Sequence, residues 1–258
     1  MPNVKRTRIH AVRTRLWAAL VADQLRFNGS KEIERFICSS IDLDLHEPSG
    51  VFRGYISGRT MPSRTVGPVV EGVWLDRVDC VLPGTSDWFR SPVWFLLDDH
   101  LPTNKEIMDC IRLLPEALQV ELLISGTQHL PEQYQFRVPS ENRVLVITHH
   151  EASWRLGALA CVYRLADLNG NKLVARRALL TLVQAIEDIC ARSTDSRFRN
   201  VFLEFRELVR EHVSKYLWAL GGSDMQVDLS EHIQEQKDFE LFDMRMEISV
   251  RRWLRNIL

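Results

Sequence analysis

The stretch VFRGYISGRTMPS, Val51 to Ser63, decides how this chain is read. Pro48 and Ser49 open a helix, with Ser49 placed to supply an N-cap oxygen to the N–H groups of its first turn. Val51, Phe52, Tyr55 and Ile56 recur at the spacing of one helical face. Gly58 follows the last apolar residue, where a left-handed stop is cheap only for glycine. Pro62 cannot continue that helix and suits the first turn of a new one. Arg53 and Arg59 are left on the outer side. A short helix with cations on its exposed face is what a major groove or a phosphate backbone requires. A plain helix hairpin with solvated arginines gives the same pattern.

The residues Phe52-x-x-Tyr55-x-Ser57-Gly58-Arg59-x-x-Pro62-Ser63 together resemble the helix-turn-helix of lambda-repressor-like regulators. In that family a recognition helix ends in an aromatic, a small polar residue and glycine, followed by a basic residue and Pro-Ser. The run Leu82-Pro83-Gly84-Thr85-x-x-Trp88-x-x-Ser91-Pro92-x-Trp94-x-x-Leu97 resembles a companion block that recurs in bacterial proteins carrying this element. The resemblance covers roughly residues 10 to 100 and nothing beyond. It departs from the family at Cys38 to Pro48, which is longer than the usual tight turn between the two helices. What it implies is DNA binding in transcription regulation. Arg53 and Arg59 are then the main contacts and Arg64 and Lys31 lie on phosphates. Tyr55 and Ser63 belong to the same surface.

Working outward, 258 residues suit one large or two ordinary domains and leave ample length to bury a core. Hydrophobic residues make up 45% and charged residues 26%, as in a globular protein rather than a disordered one. The formal net charge is −1, but it is unevenly placed. Residues 1–65 hold eleven Lys or Arg against six acids, and residues 66–150 hold six against twelve. The basic excess therefore sits with the helix-turn-helix candidate and favours a polyanion there. Residues 3–15 carry Lys5, Arg6, Arg8, Arg13 and Arg15, either an arm that tracks DNA or a solvated terminus. Asp42, Asp44 and Glu47 make the loop before Pro48 acidic, so it must turn away from phosphate or shield the site.

The 3.6-residue stripe recurs along almost the whole chain, which makes it all-α, mainly helical throughout. A small helix-turn-helix-like domain is expected over residues 1–100, and a larger helical domain over 101–258. Ala11 to Phe27 and Lys31 to Ser39 form the first two helices, and Arg64 to Asp76 a later one weakened by Gly67, Pro68 and Gly72. Trp88, Phe89, Trp94 and Phe95 wedge the small domain against the larger one. Val144 to Ile147 reads as a strand or as the buried first turns of a helix. Residues 149–220 give a three-helix core, turning at Asn169-Gly170 and near Ser193-Thr194. Its inward residues are Trp154, Leu159, Leu180, Val183, Phe202, Phe205 and Leu208. A last helix, from Ser230 to Leu258, has an apolar line through Phe239, Phe242, Met246, Val250, Trp253 and Leu254. That line packs on the bundle or pairs with a second copy, so a homo-oligomer through the C-terminal helices is one expectation.

Cys38, Cys80, Cys110, Cys161 and Cys190 are odd in number and widely spaced, which argues against disulfides and structural zinc and for reduced, buried thiols. The sequence offers no signal peptide and no membrane span, so a soluble cytoplasmic protein is expected. His149-His150-Glu151 is not a His-Glu-x-x-His motif, and adjacent helical residues diverge. Asp98-Asp99-His100 suits a metal or, more simply, a charged loop. There is no Gly-rich phosphate loop and no Gly-x-Ser-x-Gly elbow. The sequence thus indicates no catalytic residues, no metal and no cofactor. Two functions compete: a DNA-binding regulator with a dimerising or sensing helical domain, and a non-catalytic adaptor whose helix-turn-helix no longer meets DNA. A metal-assisted enzyme is a distant third.

Overall fold

The computed structural model describes residues 8–41, 48–66, 69–97, 101–124, 136–137, 140–192 and 196–219. Among these the fold is all-α apart from one short hairpin. Helices α1 (Arg8–Leu25), α2 (Ser30–Ser40) and α3 (Val51–Ile56) come first. Strands β1 (Arg64–Val66) and β2 (Val69–Glu71) come next. Then come α4 (Val73–Val81), α5 (Thr85–Arg90), α6 (Val93–Leu96), α7 (Asn104–Arg112), α8 (Glu116–Leu122) and α9 (Glu141–Ile147). Three long helices complete the fold: α10 (Ala152–Leu168), α11 (Lys172–Arg192) and α12 (Arg197–Ala219).

Helix α1 is the pivot, because it is apolar on opposite faces. Ile9, Val12, Leu16 and Ala19 enter a large core shared with α6 to α12. Trp17, Ala18, Val21 and Ala22 enter a smaller core shared with α2 to α5. Successive residues turn by about 100° on a helix, so Leu16 and Trp17 face different cores. Helix α1 therefore serves both cores, and α6 belongs to the larger one. The aromatic wedge is there. Trp88 stands edge-on to Phe198 and Phe202 of α12, at 5.2 and 5.7 Å between centroids. Trp94 lies 4.5 Å from Phe205.

Helices α10, α11 and α12 follow one another along the stretch where the sequence implies three helices. The Asn169-Gly170 turn is closed by the Asn171 N–H donating to the Ala166 carbonyl at 2.8 Å. Leu159, Val183, Phe202 and Phe205 are buried, and Trp154 and Leu208 pack half-buried against them. Leu180 is a correction. It is half-buried outside the core, while Leu179 and Val183, four residues apart on one face, take the inward positions.

Two further expectations are overturned. Residues 64–71 are not helical: β1 and β2 pair antiparallel, with Arg64 opposite Glu71 and Val66 opposite Val69. Pro68 lacks an N–H for a helical ladder, and the flanking β-branched Thr65, Val66, Val69 and Val70 suit strands. The helix starts only after Gly72, where any Cβ would collide with the Pro62 carbonyl oxygen. Cys80 is exposed, unlike the other four cysteines, which are buried and unbridged. Of the two readings of Val144 to Ile147, the helical one holds, as α9. The N-terminal basic residues Lys5 and Arg6, the acidic loop at 42–47, residues 98–100 and the expected helix at 230–258 lie outside the described residues.

Candidate nucleic-acid interface

The site begins with a carboxylate in an apolar place. Ile33, Ile37 and Cys38 form the buried face of α2, and Glu34, 1% exposed, lies among them. Its side chain reaches the start of α3. Oε1 accepts the Phe52 N–H at 2.7 Å, and Oε2 accepts the Gly50 N–H at 3.0 Å and the Ser49 hydroxyl at 3.1 Å. Glu34 thus satisfies N–H groups at the start of α3 that the helix itself leaves unpaired. A negative charge at that end also suits the helix dipole. The N-cap position itself is Gly50, not the expected Ser49, though the Ser49 hydroxyl also accepts the Val51 N–H at 3.3 Å.

The other end of α3 is fixed by Gly58, at φ 68°. The Gly58 N–H donates to the Tyr55 carbonyl at 3.0 Å and the Arg59 N–H to the Gly54 carbonyl at 2.9 Å. A Cβ at Gly58 would lie 3.1 Å from the Arg15 side chain and 3.2 Å from the Ala11 carbonyl, so the turn also presses on α1. Phe52 and Tyr55 fill the space between α3 and α1, each with its ring centroid 5.6 Å from that of Trp17. The motif's aromatics and glycine are therefore the means by which α3 is held on α1.

The residues expected at a DNA surface divide accordingly. Lys31, Arg53 and Arg59 are exposed. Tyr55 is 3% exposed and belongs to the core, a correction with a plain cause: it lies three residues from Phe52, on the same inward face. Burial and the nearby Glu34 carboxylate push its phenol up to about 12. Ser63 is a second correction, because its Oγ is buried with no hydrogen-bond partner among the described residues. Arg64 lies on β1, and its side chain is outside the described residues. Sequence reasoning singled out neither Glu34, which holds the start of α3, nor Arg35, exposed four residues after Lys31 on the outer face of α2. The available signal for Glu34 was a carboxylate at a position that helical spacing turns inward.

Cations differ in their pairing across the molecule. Arg8 pairs with Glu211 at 2.8 Å, Arg15 with Glu204 at 2.6 Å, and Arg206 with Glu207 at 3.0 Å. Arg112, Arg143 and Arg210 also have carboxylate partners. Lys31, Arg35, Arg53 and Arg59 make no ion pair among the described residues. Lys31 and Arg35, four apart on one helix, repel each other by about 0.2–0.5 kcal/mol.

Other polar clusters have structural partners. The Tyr163 hydroxyl is hydrogen-bonded to His212 Nε2 at 3.1 Å, and the Tyr216 hydroxyl donates to Asp167 at 3.0 Å. Arg13, wholly buried on α1, donates from Nε to the Phe89 carbonyl at 2.5 Å and stacks 4.2 Å over that ring. Burial lowers its guanidinium to about 9. Among the described residues no three His, Cys, Asp or Glu side chains converge as a metal site, and no helix is long and apolar enough to cross a membrane. No protein-family model, curated protein or solved structure matches the chain.

Proposed function

We propose that the protein binds duplex DNA through the cations of α2, α3 and the turn after α3, as the DNA-contacting part of a transcription regulator. The observation that carries this reading is the set of four exposed cations, Lys31, Arg35, Arg53 and Arg59, without carboxylate partners among the described residues. Phosphates supply the missing negative charge. Arg53 is the base-reading candidate, because it projects from the helix itself; Lys31, Arg35 and Arg59 act on the backbone. In this reading the helical bundle serves dimerisation or sensing.

A non-catalytic, protein-binding adaptor is the second reading. It is favoured by apolar side chains on the same small core: Phe36, Ile56 and Val73 are 39%, 40% and 63% exposed. Anisotropy titration with duplex fragments at two salt concentrations separates the two. DNA binding requires affinity above the non-specific range of about 10⁻⁴ to 10⁻⁶ M. The double variant Arg53→Ala, Arg59→Ala should lower the salt slope by up to about two units, ~0.9 per phosphate contact. If Arg53 reads a guanine edge, its loss costs ~1–3 kcal/mol and relaxes preference at one position. Wild-type binding within the non-specific range, unchanged in the double variant, leaves the adaptor as the better account.

A further inference from the structure

The corner where the α1–α2 turn meets the start of α12 brings together parts of the chain about 170 residues apart in sequence. Arg197 donates from one Nη to the Phe27 carbonyl at 2.9 Å and from the other to the Asn28 side-chain oxygen. Both acceptors are neutral, so neither is a carboxylate partner for the exposed guanidinium. Asp23 is occupied in the same corner, its Oδ2 accepting the Phe198 N–H at 2.9 Å. Glu32 is likewise turned back, accepting the Gly29 N–H at 3.2 Å.

Arg26 is the unusual member. It ends α1 at φ 56°, the single non-glycine residue with positive φ among those described. Its N–H donates to the Asp23 carbonyl and the Phe27 N–H to the Ala22 carbonyl, each at 3.2 Å. This is the helix stop at which glycine is the usual residue. An arginine here strains the backbone. Its side chain is exposed and makes no ion pair among the described residues, so no contact among them accounts for it. Lys31 lies five residues later, on the helix that Gly29 opens.

We infer that Arg26 and Arg197 form a second phosphate-contact point, which extends the DNA footprint from α2 onto the first turn of the bundle. The inference rests on the duplex-binding reading above and adds a partner-facing role for α12. The guanidinium of Arg197, held in place by the Phe27 carbonyl and Asn28, is an already ordered donor for a phosphate oxygen. Arg26 supplies the neighbouring charge at the expense of local backbone strain.

The test uses opposite signs. Arg26→Gly should raise the thermal midpoint by removing the strained conformation, and should lower the slope of log K against log salt by about 0.9 on a duplex. Arg197→Lys keeps the charge but loses the two-pronged hold, so it should weaken duplex binding while leaving most of the slope. The full chain is titrated with a duplex, with Arg53→Ala as the reference variant. Weakening by Arg53→Ala together with an unchanged slope for Arg26→Gly overturns the corner and leaves the α2–α3 reading standing. Wild-type binding no tighter than non-specific overturns both. A lower slope with a raised midpoint in Arg26→Gly supports the corner, since a merely structural role would move only the midpoint.

Discussion

Replacing Glu34 by Ala tests how α3 is held. The Phe52 N–H loses its acceptor in a buried place, and an orphaned buried donor costs about 1–3 kcal/mol. The Gly50 N–H and Ser49 hydroxyl are half-buried and recover water, so together they add about 1 kcal/mol. The lost charge at the helix start adds about 0.3–1 kcal/mol. The sum is about 3 kcal/mol, concentrated in the smaller core. Glu34→Gln keeps the shape and one acceptor oxygen and should cost about half as much. Urea unfolding monitored by tryptophan fluorescence reads the effect, because Trp17 and Trp74 lie in or against that core. With a slope of about 1–3 kcal/mol per molar urea, the alanine variant should lower the midpoint by at least about 1 M. A midpoint within ~0.3 M of wild type, or a glutamine variant as damaged as the alanine one, would refute the argument. The same variant should lose duplex affinity, since Arg53 is positioned only by α3.

Other substitutions probe the remaining parts. Arg13→Met removes a buried guanidinium that has a carbonyl and a ring but no carboxylate among the described residues, so stability should change by less than about 1 kcal/mol; a loss above ~2 kcal/mol in denaturant titration refutes this. Gly58→Ala forces a side chain into the left-handed region and against Ala11, and should cost about 1–2 kcal/mol in the same assay. Leu179→Asp places an unpaired charge in the bundle core and should abolish the cooperative thermal transition; an unchanged midpoint means the packing is wrong. Burial pushes Tyr163 up to about 12, as burial and Glu34 do Tyr55, while both phenols ionise near 10 once unfolded. Their folded values lie above the unfolded ones, so their stabilisation is intact below pH 10 and is lost between about 10 and 12. Absorbance at 295 nm against pH should show this late ionisation.

The fold class was legible because it rests on local periodicity. Leu156, Leu159 and Tyr163 repeat at three or four residues, as do Leu179, Val183 and Ile186, and each set is buried. The errors fall where two local signals compete. Val69, Val70 and Val73 match a helical stripe, yet Val66, Val69 and Val70 also match strand composition, and Pro68 tips the balance by denying a helical N–H. Leu180 was placed inward beside Leu179, since the two have the same hydropathy and only the helix phase distinguishes them.

The candidate site was half legible for a different reason. Short-range features were readable: the Gly58 stop, the inward Phe52 and the outward Arg53 and Arg59 depend on residues within one turn. Long-range partners were not. Glu34 meets Phe52 across 18 positions, and Asp23 meets Phe198 across 175. No spacing rule links such pairs, because the intervening chain, not a helix repeat, brings them together. Tyr55 shows the same limit from the other side. Its hydroxyl and its place in the motif suggested a DNA contact, but the phase that sends Phe52 inward sends Tyr55 with it. Exposed cations in this molecule are therefore informative only once their partners are known. Arg15 and Arg59 look alike in the sequence, yet Arg15 has Glu204 at 2.6 Å and Arg59 has no carboxylate among the described residues. That difference, not the basic excess alone, distinguishes a cation that holds the fold from one on which the proposed phosphate contact can rest.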